Sequence, residues 1–266
     1  VYRAGDGLHR VWLERRREFA PWWRRPLVGR GAFHREMKAL EAQTFDPGRT
    51  RYVIVNSEMV RREIETHFKF PSERIRLIRN GVATRRFANG DRAATRARFG
   101  IAEKEFLLLF VGSGWERKGL KYTLAATGAL RGRGVKLLVV GKGRQPSPVP
   151  ANVIFAGPVA EVEHAYAAAD ALVFLPIYEP ASNVVFEARA SGLPVVTTQY
   201  NGAAEIIERR EEGCVINDPR DQNEVLAAIE WHLRQGPRRV PATQDLSLER
   251  NVRETIAVLE VAATSR

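Results

Sequence analysis

The sequence predicts an α/β protein built on a parallel β-sheet with helices packed on both faces. Three observations predict it. From residue 106 onward, short apolar runs alternate with segments of helical length. Those runs are continuous rather than alternating, as in strands buried on both sides. The chain is also long and apolar enough, at 266 residues and 44% hydrophobic, to bury one large core or two smaller ones.

Residues 7–45 read as helical. Leu8, Trp12, Phe19 and Trp23 fall at steps of four, seven and four, an apolar stripe on one helix face. Pro21 ends or bends that helix, since it lacks an amide hydrogen and clashes with the preceding turn. A second helix follows Gly31, with Phe33, Met37 and Leu40 on one face. Between the two lies Trp22-Trp23-Arg24-Arg25. Two readings fit this cluster: aromatic rings and arginines suited to the headgroup layer of an anionic membrane, or tryptophans packed inside a core. Beyond it, 52–55 and 75–78 read as strands around a helix at 58–68, and Asn80-Gly81 marks a turn near a domain boundary.

Strands are then expected at 106–111, 135–140, 153–155, 171–175, 195–197 and 214–216. Helices are expected at 119–129, 160–169, 184–191, 203–209 and 221–234, with a last one at 246–261 after a polar linker. The three prolines of 145–150 predict a loop.

Composition narrows the function. Apolar runs of about six residues fall far short of the roughly 20 that a membrane-spanning helix needs. One cysteine, Cys214, excludes an internal disulfide and a cysteine-only metal cage. A reducing, cytoplasmic setting is the expectation. The chain opens on Val1 in mid-phrase, which suggests a fragment. Residues 1–100 hold 23 Lys and Arg against 11 Asp and Glu, whereas the rest is nearly neutral. That asymmetry implies an anionic partner: phospholipid, nucleic acid or a phosphorylated substrate.

In an open parallel sheet, ligands sit beyond the carboxyl ends of the strands. Three such places stand out. In Val111-Gly112-Ser113-Gly114-Trp115-Glu116-Arg117-Lys118-Gly119, glycines permit close backbone approach, and Arg117 and Lys118 can pair with phosphate oxygens. The segment lacks both the dinucleotide fingerprint and a P-loop. In Glu179-Pro180-Ala181-Ser182-Asn183-Val184-Val185-Phe186-Glu187, Ser182 or Asn183 is expected to cap a helix whose free amides bind an anion such as a diphosphate. Glu187 can accept from vicinal hydroxyls, and Glu179 can reach another part of the same ligand. In Thr197 to Glu205, the Asn201-Gly202 turn could close over a ligand or be an ordinary connector. No Asp-x-Asp and no zinc-like spacing is present, and the five histidines are scattered.

These residues resemble a known family. Glu179-x7-Glu187 followed by Ala188-Arg189-Ala190-Ser191-Gly192-Leu193-Pro194-Val195-Val196 is similar to the central motif of family 4 retaining glycosyltransferases. Gly112-Ser113 through Lys118-Gly119 is similar to the family's phosphate-contact segment, and Arg79-Asn80-Gly81-Val82 through Phe87 to its inter-domain linker. The opening Val1 to His9, with the basic aromatic helices, resembles the lipopolysaccharide core glucosyltransferase I branch. Two departures stand out: Ala83 replaces a common aspartate, and 144–150 is shorter and richer in proline than usual.

The resemblance implies a GT-B fold, two Rossmann-like domains facing across a cleft. Residues 80–245 would be a complete donor-binding domain, 1–79 the last portion of the acceptor-side domain, and 246–266 a helix crossing back to it. It implies transfer of a hexose, with glucose the expected one, from a UDP-sugar to a lipopolysaccharide-core or related glycolipid, with retention and without cofactor or metal. Arg117 and Lys118 would hold the diphosphate with Gly112, Ser113 and the amides of Ser182, Asn183 and Val184. Glu187 would bind ribose, Glu179 a hydroxyl of the transferred sugar, and Gly157 and Val159 would frame the base. Arg86 would reach the diphosphate, and Asp6 would lie near the reacting carbon. As a fragment, the chain would bind donor without turnover. The implied setting is peripheral, on the inner face of the cytoplasmic membrane, with residues 3–30 on the anionic surface and no nucleic acid bound. Two rivals fit the same sequence: a nucleotide-sugar epimerase of GT-B fold, and a non-catalytic basic module binding membrane or nucleic acid.

Overall fold

The chain folds around two parallel sheets, and the computed structural model describes residues 1–264. The first sheet has three short strands, β1 (Tyr2–Ala4), β2 (Val53–Val55) and β3 (Ile75–Leu77), in that spatial order. Helices α1 (His9–Phe19), α2 (Ala32–Thr44) and α3 (Glu58–Phe68) surround it. Ser57 starts α3 by accepting from the Val60 amide, as its residue type suits. Two short helices, α4 (Thr84–Phe87) and α5 (Arg92–Arg98), follow the Asn80-Gly81 turn.

The second sheet has six strands. They are β4 (Phe106–Val111), β5 (Val135–Val140), β6 (Val153–Gly157), β7 (Ala171–Phe174), β8 (Val195–Thr198) and β9 (Gly213–Ile216). The crossovers between them include α6 (Trp115–Lys118), α7 (Leu120–Ala129), α8 (Val162–Ala168) and α9 (Asn183–Ala190). Helix α10 (Gln222–Gln235) follows β9, and α11 (Leu248–Thr264) ends the described chain. The spatial order is β6-β5-β4-β7-β8-β9, all parallel. β4, β5, β7 and β8 are buried on nearly every residue because helices cover both faces, as their unbroken apolar runs require.

Strand order reverses between β4 and β7. A crevice opens beyond their carboxyl ends, and ligands bind there in sheets of this kind. The segments after β4 and β7 are the ones singled out above for their cations and glutamates.

The two lobes are stitched together closely. Tyr178, just past β7, packs with Ala4, Leu8, Val60 and Ile64 in the core of the smaller lobe. Glu205 accepts from the Glu58 and Met59 amides at 2.9 and 2.8 Å, at the start of α3. Helix α11 reaches back to the linker, where Asn251 and Arg250 donate to the Arg79 carbonyl. Residues 265 and 266, the end of the expected crossing segment, lie outside the described residues.

Several expectations change. The first helix ends at Phe19, so Trp23 is not part of it. Trp22 and Trp23 are 77% and 58% exposed, which removes the core reading. The apolar face of α2 is exposed at Phe33 and Leu40, and its one buried residue is Glu41. Glu41 receives the amides of His9 and Arg10 and so caps α1, whose own cap residue, Leu8, has no side-chain acceptor. The expected helix at 203–209 is a single 3-10 turn, Gly202–Ile206. Its first glycine is wedged so tightly that an added Cβ would lie 1.9 Å from the Pro180 carbonyl oxygen. β1 is a strand that its three residues did not announce.

Candidate active site

The cationic loop owes its shape to glycines. Gly112 follows β4 with φ of 144°, and an added Cβ would stand 2.7 Å from Lys118 Cδ and 2.8 Å from its Nζ. Lys118 therefore folds back over the strand end only because position 112 carries no side chain. Gly119, with φ of 72°, presses against the Leu175 carbonyl, which a Cβ would meet at 1.7 Å. The Arg117 carbonyl accepts from the Ile177 amide at 2.9 Å. These contacts pin α6 to the segment after β7.

Lys118 is half-buried. Burial lowers its pKa, while Glu179 pulls it up and Arg117 pushes it down. Its ammonium lies 5.8 Å from the Phe174 ring centre and makes no ion pair or hydrogen bond to any described residue. Arg117 Nη1 lies 3.2 Å from Glu179 Oε2, close enough for an ion pair, yet that oxygen has no hydrogen bond of good geometry. Burial raises the Glu179 pKa, against the pull of Arg117 and Lys118. Ser113 Oγ accepts from the Lys142 amide at 2.9 Å.

The Glu179 backbone is fixed from the loop after β8. Its amide donates to the Tyr200 carbonyl at 2.8 Å, and its carbonyl accepts from the Gly202 amide at 2.9 Å. Asn201 is buried; its Oδ1 accepts from the Ser182 and Ala203 amides, and its Nδ2 donates to Thr197 Oγ1. The Asn201-Gly202 turn is a scaffold for the Glu179 loop. The Ser182 amide is already taken, and neither Ser182 nor Asn183 caps α9 through its side chain. The Asn183 and Val184 amides make no hydrogen bond to a described residue, and these remain for an anion at the helix start. Asn80 braces this end, donating to Asn183 Oδ1 at 2.8 Å and to the Ala181 carbonyl at 3.1 Å.

Glu187 lies further along α9. The buried Tyr166 hydroxyl donates to its Oε2 at 2.7 Å, which leaves Oε1 without a described partner. Burial raises the Glu187 pKa, and the Tyr166 bond offsets part of that. Arg86 is not directed at the cationic pair: its Nη2 donates to Glu163 Oε2 at 2.7 Å and to the Ala160 carbonyl at 3.3 Å. Gly157 ends β6 at φ of 68°, and its carbonyl accepts from the Gly141 amide. Val159 lines a cavity of about 510 Å³ with Thr95, Arg98, Phe99 and His164.

Asp6 stands across from this group. It lines a second cavity, of about 540 Å³, with His9, Trp12, Glu41, Arg117 and Tyr178. Arg117 is thus shared between that cavity and the Glu179 pair. Sequence reasoning missed Tyr166, Asn80 and Asn201 as supports. Each acts on a partner distant in the chain or through a side-chain cap, and no spacing rule signals such contacts.

Comparison with known proteins places this geometry. The family model described as "Glycosyltransferase Family 4" matches residues 7–86, and the one described as "Glycosyl transferases group 1" matches 105–235. The lipopolysaccharide glucosyltransferase WaaG of Escherichia coli is 27% identical over 245 residues, covering 86% of this chain and 66% of that protein. The crystal structure of WaaG, described as a glycosyltransferase involved in lipopolysaccharide biosynthesis, superposes with a TM-score of 0.75. It is 25% identical and covers 99% of this chain and 70% of that one. The Anabaena protein HepE, solved with UDP-glucose, shares the fold at a TM-score of 0.68 and 18% identity, covering 86% of this chain and 67% of its own. The chain spans about two thirds of WaaG's length. Matched by two models that between them take in most of its length, and sharing the GT-B fold of these structures, the chain belongs to the glycosyltransferases of group 1 and family 4.

Proposed function

We propose that this chain holds the donor site, and part of the acceptor side, of a retaining hexosyltransferase that moves glucose from UDP-glucose to a lipopolysaccharide-core or related glycolipid. The observation that carries it is the half-buried, unpaired ammonium of Lys118 at the end of β4, beside β7 and the loop leading to the free Asn183 and Val184 amides. Together these suit a diphosphate. As the bond to the sugar breaks, negative charge grows on the diphosphate, and fixed cations and amides favour that state over the ground state. Arg117, Lys118, Gly112 and Ser113 act on that side. The charge is met by the protein itself, so the proposal requires no metal and no cofactor.

Glu187, with Oε2 fixed by Tyr166, receives the ribose hydroxyls, and Gly157 and Val159 border the base. Glu179 receives a hydroxyl of the transferred sugar, and Asp6 stands on the side of the reacting carbon. The Asp6 cavity takes the acceptor, with Trp12 offering an aromatic wall to a sugar ring. WaaG's name supports a lipopolysaccharide acceptor and HepE's complex a UDP-glucose donor.

Calorimetry with UDP and with uridine tests the donor site. Glu187→Ala should weaken both by about 1.5–3 kcal/mol, roughly tenfold to a hundredfold, because the hydrogen bonds lost go to ribose. Undiminished binding of both would rule out the ribose role.

The partner surface is the exposed Trp22, Trp23, Leu27 and Phe33 with Arg24, Arg25 and Arg30 among them. No helix among the described residues is long and apolar enough to cross a membrane. We assign this patch to the anionic inner face of the cytoplasmic membrane. The chain should sediment with anionic vesicles and not with neutral ones, and Trp22→Ala with Trp23→Ala should weaken this severalfold. Binding to duplex DNA with indifference to both vesicles would overturn the assignment.

A further inference from the structure

The residue before Glu179 has no part in the donor contacts above, yet its surroundings are unusual. Tyr178 is 2% exposed and leaves the larger lobe to enter the core of the smaller one. Its hydroxyl accepts from the Leu8 amide at 2.9 Å and donates to Glu63 Oε2, on α3, at 2.8 Å. Gly7 packs directly on it. A Cβ at Gly7, whose φ is 69°, would stand 2.3 Å from the Tyr178 hydroxyl and 2.6 Å from Pro180 Cγ. One phenol thus touches the residues on the carboxyl side of Asp6, while its own backbone leads straight into Glu179.

We propose that Tyr178, held by Glu63, is a positioning residue that fixes Asp6 against Glu179 across the cleft, so that both carboxylates meet the transferred sugar together. The inference rests on the transferase reading above.

A phenol pinned at both ends, by a donor in the Asp6 loop and an acceptor on α3, leaves Gly7 and Leu8 little freedom to move relative to Glu179. Losing the hydroxyl removes the tie but keeps the ring that fills the core. The Glu63 carboxyl is itself mostly buried. Burial pushes its pKa up to about 7, against the pull of the Tyr178 bond and Arg15 and with a push from Glu14 and Glu41. A group so placed is costly to bury unless its bond to Tyr178 is kept.

The sugar is what this arrangement serves, so the test separates sugar from nucleotide. Affinities of the chain for UDP and for UDP-glucose are measured by calorimetry, with Tyr178→Phe and Glu63→Leu, which removes the acceptor, beside the unmodified protein. Both variants should keep UDP affinity within twofold and lose most of any extra affinity for UDP-glucose, fivefold or more. Equal retention of both ligands by both variants overturns the positioning role, as does parallel loss of both, which would mark a general structural part. An unmodified chain that binds neither ligand instead defeats the transferase reading. Circular dichroism melting accompanies each variant, and if Tyr178→Phe does not fold, Glu63→Leu decides.

Discussion

Replacing Lys118 by methionine should weaken UDP binding by about 1.5–3 kcal/mol, roughly tenfold to a hundredfold, and leave uridine binding unchanged. The two ligands differ only in the diphosphate, so the contrast isolates the charge from the rest of the pocket. Methionine keeps most of the stem that lies over Gly112 and near Phe174. Two features make Lys118 the side chain to test. Arg117 is shared with Glu179, whereas Lys118 pairs with no carboxylate among the described residues, and its ammonium is half withdrawn from water. An ammonium in that state gains more from an incoming anion than an exposed one, because less solvent screens the attraction. Raising salt should weaken UDP binding in the unmodified chain more than in Lys118→Met.

The second large effect lies beneath the site. Arg189, on α9 two residues beyond Glu187, is 1% exposed and pairs with the fully buried Glu212 at 3.0 Å; it also donates to the Leu193 and Pro241 carbonyls. Arg189→Met should destabilise the fold by about 1.5–3 kcal/mol, since it takes one charged partner from the buried Glu212, which keeps the Glu208 and Arg209 amides and the Arg209 guanidinium. Denaturant melts with the two proteins side by side measure this. The same pair sets a pH dependence. Burial pushes the Glu212 pKa up, but the Glu208 and Arg209 amides and Arg189 outweigh that and bring it to about 2. A carboxyl depressed in the folded state stabilises above its unfolded pKa and loses that contribution as pH falls through the folded value. Stability should therefore drop between about pH 4.5 and pH 2, and Arg189→Met should show a smaller drop over that window. The consequence for the site is direct, because α9 presents the Asn183 and Val184 amides at one end and Glu187 in its middle.

The large sheet was legible because its strands are buried on both faces and so read as unbroken apolar runs such as Phe106–Val111. The cationic loop and the two glutamates were legible because they sit at strand ends, where topology puts ligands. The small sheet was less so: three-residue strands such as Tyr2–Ala4 carry no periodicity to detect. Helix 203–209 failed because propensity says nothing of Ser57 and Pro180 crowding Gly202 from elsewhere in the fold. Contacts of a related kind engage the Ser182 amide and Arg86. Both suit an anion by type, and both are already engaged, by Asn201 and Glu163, through contacts that only folding creates. The family resemblance supplied what spacing could not, namely an expectation of which anion contacts would serve one ligand.

That single ligand is the central claim, and a crystal structure of the chain grown with UDP tests it most directly. The account predicts the diphosphate within hydrogen-bonding distance of Lys118 Nζ and of the Asn183 and Val184 amides, with the ribose on Glu187. A nucleotide seated elsewhere, or a crevice left vacant at saturating UDP with Glu187 still touching only Tyr166, would contradict it.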